Sequence, residues 1–439
     1  MHGARSKFTN RLENVVDDHL FGCVIINKEV QFHHDNKRVL VRSDIKKVID
    51  RKVTVVCGGG SGHEPFAAGF VGPNGLTSAV SGDIYASPSA QEITDAITIG
   101  LSTKGTIVFS NNYTGDRLNF GMAIENIRNS HPQYKMKMFF IDDDVSLEQK
   151  NGFETGHRGL AGTVLILQAA SVWAKKGMGF EEIVENVEKM ISSLATFGVS
   201  LYPCSLPGKD YMFKLPEDEL ELGLGIHGEP GLERMKITTA KKIIQKLMPK
   251  LVFSHRLGFR KEDDLPVVIL LNNLGSVSQL EMNILTKEIL DWTALNTKLR
   301  VSAFFRGPVT TSIDGHGVSI SVLKLAHPAW LPTLLTFSPI SKFWSVTPPR
   351  HVLSRNIITF QDVHMVNSPG CTLSGDVLVE CDGTEREVSA EEKLALDYYK
   401  ETSRKWHEDL DKLLAQSLNH APRFALPDYP QFPPICKLC

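Results

Sequence analysis

The sequence predicts an α/β protein with two α/β subdomains. The first has a mainly parallel, doubly wound sheet, and a partly helical C-terminal extension follows the second. Three observations predict this. Between about residues 50 and 180, short β-branched apolar runs alternate with longer stretches of helical spacing, the pattern of a parallel sheet covered on both faces. The loops richest in glycine and polar residues follow the strands, on the carboxyl edge where such sheets bind ligands. The chain has 439 residues, room for two or three folding units of ~100–200 residues each.

Taken in order, Val53–Cys57 is β-branched and runs into glycines, and Thr77–Val80, Thr106–Phe109 and Met136–Ile141 read as further buried strands. Between them Ser89–Leu101, Arg117–Arg128 and Leu160–Lys175 carry helical spacing, and Phe180–Ala195 reads as one more helix. This places the first subdomain at residues 1–195. Val199–Leu206 leads into a second α/β unit, residues 196–325, containing Leu222–Pro230, Val267–Leu271 and Ser319–Leu325. Composition changes near Ala326. Pro328, Pro332, Pro339, Pro348 and Pro349 punctuate a stretch without periodicity, which reads as linker or loosely packed extension. Residues 389–419 read as helical, with Trp406, Leu410, Leu413 and Leu414 as an apolar stripe, and Pro422–Pro434 as irregular.

Composition excludes several function classes. Lys and Arg total 48 against 50 Asp and Glu, a net charge of −2, so no nucleic-acid or membrane-surface partner is expected. Residues 1–10 lack the apolar core of a secretory signal. No apolar run approaches the ~18 residues a membrane span needs, and the expected location is cytoplasmic. Seven scattered cysteines fit free thiols in a reducing compartment. Cys436 and Cys439 alone fall short of a structural zinc site, and no metal ligand set is expected on this chain.

Three loops carry candidate chemistry. In Cys57-Gly-Gly-Gly-Ser-Gly-His-Glu-Pro65, four glycines in five residues let backbone approach a ligand, with His63 beside them. The loop lacks the lysine of a nucleotide-binding loop, and a helix-capping turn with an incidental histidine is the alternative. Asn111-Asn-Tyr-Thr-Gly-Asp116 follows a strand. It is rich in turn formers, and Asp116 there either caps a helix or takes a proton from a substrate hydroxyl. In Leu222-Gly-Leu-Gly-Ile-His-Gly-Glu-Pro230, glycines flank His227 and leave its imidazole accessible. A neutral imidazole nitrogen attacks carbonyls, although a loop histidine with a purely structural role is the commoner case.

Together these segments, with Arg158-Gly-Leu-Ala-Gly-Thr-Val-Leu165 and Leu271-Asn-Asn-Leu-Gly275, resemble the signatures of the dihydroxyacetone kinase K domain, in that family's order, over about residues 5–325. The resemblance implies that His227 forms a covalent hemiaminal with a ketose and that Gly60, Ser61, Gly62 and His63 contact the substrate. It further implies that Asn111 lies at the substrate site and that Asp116 is the base on the hydroxyl to be phosphorylated, so that His227, Asp116 and His63 are the catalytic set. It implies dihydroxyacetone or a related triose as substrate, Mg-ATP bound on a separate L domain rather than by this chain, and a homodimer.

Three departures qualify the resemblance. Asn111 stands where the family usually has lysine, removing a cation near the phosphoryl path. Gly156-His-Arg-Gly159 replaces Gly-Arg-Arg-Gly, and residues 304–318 match only in part. Residues 326–439 carry no Asp-Gly-Asp motif of the ATP-binding L domain. Asp382-Gly-Thr is the nearest, and Asp376, Asp397, Asp409 and Asp411 are dispersed. The expected function is a dihydroxyacetone kinase-type protein needing an L domain in trans. The alternatives are a non-catalytic ketose-binding regulator or a truncated kinase product.

Overall fold

The computed structural model describes residues 7–148 and 157–347, and then 367–368, 371–374, 377–380, 385–399, 401–402 and 405. The chain divides into two compact units, Met1–Val352 and Leu353–Cys439.

The first unit opens with α1 (Val15–Ile26), the antiparallel pair β1 (Val30–Phe32) and β2 (Val39–Arg42), and the single turn α2 (Ile45–Val48). There follow β3 (Thr54–Ser61), β4 (Ser78–Ile84), α3 (Ala90–Thr98), β5 (Thr106–Asn111), α4 (Thr114–Ser130) and β6 (Met136–Ile141). The strand order is β1-β2-β4-β3-β5-β6. The four strands β4, β3, β5 and β6 run parallel, and β1 and β2 form an antiparallel edge. Side chains alternate across a strand, and β3 shows it. Val55 and Cys57 enter one core while Val56 enters another, and in β5 Ile107 and Phe109 part from Val108 in the same way. A Ser89–Glu92 capping box starts α3 where the sequence placed a helix.

The chain then forms α5 (Thr163–Lys175), α6 (Phe180–Ser192), β7 (Leu194–Tyr202), β8 (Glu219–Leu222), β9 (Glu233–Lys236) and α7 (Ala240–Val252). After these come β10 (Pro266–Asn273), α8 (Gln279–Asn296), β11 (Arg300–Gly307), β12 (His316–Lys324), α9 (Trp330–Leu334) and β13 (Ser345–Thr347). The second sheet has the order β13-β11-β10-β12-β7-β8-β9, and only β10 and β11 pair in parallel. Its strands also serve two cores. Val268 and Leu270 join the core around α5, whereas Val267, Ile269 and Leu271 face the core containing residues of α7 and α8. Because α5 is buried from Thr163 to Ala174, it is a shared wall. The two sheets, at residues 30–141 and 194–347, therefore lie in one compact unit.

The expected linker after Ala326 is corrected. Trp330 is 1 % exposed and Leu334 fully buried. Gln168 of α5 donates to Leu334 O and Thr336 O and accepts from Ser338 Oγ, and β13 pairs with β11. Prolines break periodicity without preventing the burial of a tryptophan and leucines, and the unit reaches Val352 rather than ending at 325. The second unit contains the antiparallel strands β14 (Asn367–Ser368), β15 (Cys371–Ser374), β16 (Val377–Glu380) and β17 (Glu385–Glu387), which the sequence reading did not identify, and helical residues 390–399. The Trp406–Leu414 stripe, Pro422–Pro434, Cys436, Cys439, Asp376, Asp382, Asp409, Asp411 and Gly156 lie outside the described residues. Cys23, Cys57 and Cys204 are free thiols, and among the described residues no helix is long and apolar enough to cross a membrane.

Candidate functional site

The glycine run is the end of a strand rather than a turn. β3 continues through Gly58, Gly59 and Gly60 to Ser61, because small residues admit the chain that follows β4. A Cβ on Gly60 would come within 2.9 Å of Ala86 N, and one on Gly62, at φ +100°, within 2.6 Å of the Tyr85 ring. The Ser61 hydroxyl donates to Gly82 O at 2.7 Å and Ser61 O accepts from Tyr85 N. Its hydroxyl hydrogen thus serves the fold, leaving the Ser61 Oγ lone pairs as acceptors. Gly62 N donates to the Glu64 carboxylate.

This strand end delivers His63, 4 % exposed, to His227. The Nε2 atoms of the two rings lie 2.9 Å apart. Tyr85 stacks on His63, while Tyr85 and Tyr113 each meet the His227 ring edge-on. His227 sits in a tight turn in which Gly228, at φ +79°, donates its N–H to Gly225 O. Glu229 folds back, accepting from His227 N at 3.0 Å with one carboxylate oxygen and lying 2.8 Å from Nδ1 with the other. The turn is anchored by buried Arg158, which donates to Gly223 O at 2.6 Å and pairs with buried Asp144 at 2.6 Å.

Proton positions follow from these partners. Thr311 O, 2.8 Å from His63 Nδ1, can only accept, so that nitrogen carries hydrogen. Burial first, and the neighbouring His227 second, push the His63 pKa down to about 3, so near neutral pH the ring is neutral and its Nε2 bare. The hydrogen between the two Nε2 atoms therefore belongs to His227. Burial would raise the pKa of Glu229, but the hydrogen bond and charge of His227 outweigh it and hold that carboxyl at about 2. Glu229 is thus a carboxylate and accepts from His227 Nδ1–H. Each nitrogen of His227 thus faces an acceptor, Nδ1 the Glu229 carboxylate at 2.8 Å and Nε2 the His63 Nε2 at 2.9 Å.

Asp116 lies in the first turn of α4 and is 7 % exposed. Gly59 faces it: a Cβ there would lie 3.9 Å from Oδ1. That oxygen is buried with no hydrogen-bond partner, and burial raises the carboxyl to about 6 against the lowering effects of Ser87 and His227. An acceptor left open at this depth is shaped for a donor from outside the chain. The structure thus brings His63, His227, Gly62 and Asp116 into one neighbourhood. Asn111 is engaged elsewhere. Its Oδ1 accepts from Thr163 Oγ1 at 2.8 Å, and its side chain packs so closely on Gly159 that a Cβ there would lie 2.7 Å from Asn111 Cβ.

Sequence reasoning missed Glu229, Tyr85, Thr311 and Arg158 as members of the site. Glu229 had a local signal, a carboxylate two residues from a histidine across a glycine. Tyr85 and Thr311 had none, because each meets His63 only through the fold.

Comparison with known proteins follows this geometry. The family described as the Dak1 domain matches residues 21–337. The chain is 34 % identical over 374 residues to the rat (Rattus norvegicus) triokinase/FMN cyclase, covering 84 % of this chain but 63 % of that protein. It is 34 % identical over 329 residues to the dihydroxyacetone-binding subunit DhaK of a PTS-dependent dihydroxyacetone kinase from Listeria innocua, covering 75 % of this chain and 97 % of that one. The crystallised dihydroxyacetone kinase operon co-activator DhaQ superposes with TM-score 0.68 at 27 % identity, covering 76 % of this chain and 99 % of that one.

Proposed function

The chain belongs to the Dak1 family of dihydroxyacetone kinase K domains, and on that premise we propose that it captures a short ketose as a hemiaminal on His227 and presents its hydroxyl to Asp116. One observation carries this reading: a histidine pair with its Nε2 atoms 2.9 Å apart, closed at one end by Glu229, in a site with a buried carboxylate oxygen without a partner.

Capture begins when His227 passes its Nε2 proton to His63 Nε2. The freed Nε2 lone pair bonds to the ketone carbon, the carbonyl π pair moves onto oxygen, and that oxygen takes the proton from His63. The product is a hemiaminal whose imidazolium keeps Nδ1–H on Glu229, so the positive charge stays beside the carboxylate that balances it before and after reaction. Glycerol has no carbonyl and forms no such bond, a sharper rejection than hydrogen bonds to hydroxyls allow. The Asp116 carboxyl, raised to about 6, is ionised at neutral pH yet close enough to it to accept a hydroxyl proton.

The phosphoryl donor is a co-substrate. Phosphoryl transfer needs metal ions bridging the donor oxygens, and we assign Mg-ATP to a separate L domain. The Listeria relative, named as a dihydroxyacetone-binding subunit and matched over 97 % of its own length, supports that division. The co-activator likeness and the side-chain engagement of Asn111 support a second reading, in which the chain binds the ketose and regulates a partner. The dimer rests on family resemblance, and the cytoplasmic setting on the sequence expectation alone.

Native mass spectrometry with dihydroxyacetone tests capture. The expected gain is the full mass of one triose, without loss of water, absent in His227→Ala. An unchanged adduct in that variant refutes the assignment. A coupled assay with Mg-ATP then separates the readings: turnover only with an added L domain supports the kinase subunit, and an adduct without turnover supports the regulator.

A further inference from the structure

A second cavity lies at the carboxyl edge of the parallel pair β10–β11, where α/β sheets receive ligands. Its volume is about 390 Å3, enough for a small metabolite, and its lining includes Gln279, Arg306, Gly307, Lys342, Trp344 and Ser345. None of the ketose-site residues lines it.

Its chemistry is that of an anion receptor. Arg306 donates to Asn283 Oδ1 and, at 3.3 Å, to Ser345 Oγ. Neither it nor Lys342 pairs with a carboxylate among the described residues. Gln279 is the first residue of the eighteen-residue α8, so the positive end of a helix dipole, with backbone N–H groups lacking helical partners, also meets the cavity. The acid on that first turn, Glu281, is turned to Ser278 and His316. The Trp344 ring is buried and its indole N–H finds no acceptor, although buried donors are nearly always satisfied. Two cations without carboxylate partners among the described residues and the first residue of a long helix thus meet at one cavity.

We propose that this cavity binds the phosphoryl group of a small phosphorylated metabolite, with Arg306 as the forked donor and Lys342 as the second charge. The wall at Gly307 continues through Pro308 to Thr311, whose carbonyl holds His63, so an occupant would abut the segment that orients the ketose site.

Inorganic phosphate is the probe, titrated into the full chain at constant ionic strength against chloride and read by tryptophan fluorescence and phosphorus NMR line width. Saturable binding is expected in the unsubstituted protein and in His227→Ala. It should weaken at least ~tenfold, the effect of losing about 1.4 kcal/mol, in Arg306→Ala, and less in Lys342→Ala. Both are solvent-reaching side chains whose loss leaves the core intact. A response equal to that of chloride, unaltered binding in Arg306→Ala, or loss of binding in His227→Ala would overturn the proposal, the last by placing the anion at the ketose site.

Discussion

Replacing Asp116 by asparagine should stabilise the protein at neutral pH while removing the proposed proton acceptor. The carboxyl is raised from 3.8 to about 6, chiefly by burial. Each pKa unit corresponds to ~1.4 kcal/mol, so holding this group ionised costs the folded state about 3 kcal/mol above pH 6. The sign follows from the raised folded-state pKa. Between roughly pH 4 and pH 6 the native state binds more protons than the unfolded one, so stability falls as pH rises through that window and the penalty is fully present above it. Asparagine keeps the shape and removes the charge, although its buried amide recovers only part of the penalty, leaving a gain of ~1–3 kcal/mol. With unfolding entropy of ~2.1 cal/mol/K per residue over a unit of this size, 2 kcal/mol corresponds to a Tm rise of about 3 °C. Scanning calorimetry of both proteins at pH 7.5 and at pH 4 measures it. The rise should appear at pH 7.5 and nearly vanish at pH 4, while triose capture survives and phosphoryl transfer with an added L domain does not. An equal shift at both pH values, or destabilisation at pH 7.5, would refute the argument that Asp116 is a desolvated carboxylate with one oxygen unpartnered.

Glu229→Gln keeps a hydrogen-bond acceptor but removes the charge beside His227. Adduct affinity by native mass spectrometry should fall ~10–100-fold, matching the ~1.5–3 kcal/mol of a charge-assisted bond, and unchanged affinity would remove Glu229 from the mechanism. Gly62→Ala forces a Cβ toward the Tyr85 ring at φ +100°. It should cost ~1–3 kcal/mol and lower both Tm and capture, and a neutral result would mean that the strand end adjusts freely. Arg158→Ala leaves Asp144 buried without its ion partner. A loss of ~3–5 kcal/mol by chemical denaturation is expected, with capture lost before the fold as the His227 turn loses its anchor.

The sequence exposed what local spacing controls. Short β-branched and apolar runs at Val53–Cys57 and Thr106–Phe109 located central strands of the first sheet, and helical spacing from Ser89 located α3, which the structure shows to open with a Ser89–Glu92 capping box. It misjudged the glycine run, since glycine disfavours strands on average, yet here the close approach of Ala86 and Tyr85 requires glycine within one. It also passed over α8. Leu280, Ile284 and Leu295 of that helix are exposed while Met282, Ile289 and Trp292 are buried, which spreads apolar residues around the axis and blurs the stripe that periodicity detects. The prolines after Ala326 hid Trp330, whose burial depends on α5, more than 150 residues earlier.

The same limit separates naming the reactive histidines from knowing how they work. Motif resemblance marks His63 and His227 individually, but a histidine's role depends on which nitrogen bears hydrogen, and that is set by what each nitrogen faces. Here the deciding atoms are Thr311 O, 248 positions from His63, and the Glu229 carboxylate, brought back by a glycine turn. A carbonyl that can only accept fixes the His63 tautomer, an ionised carboxylate fixes Nδ1–H on His227, and the 2.9 Å contact between the rings leaves one proton to be exchanged. That proton is the one a ketone oxygen needs on becoming a hydroxyl. In the proposed capture, directionality therefore arises from two acceptors that carry no reactive chemistry themselves, and substitutions that disturb either should impair capture even with both histidines intact.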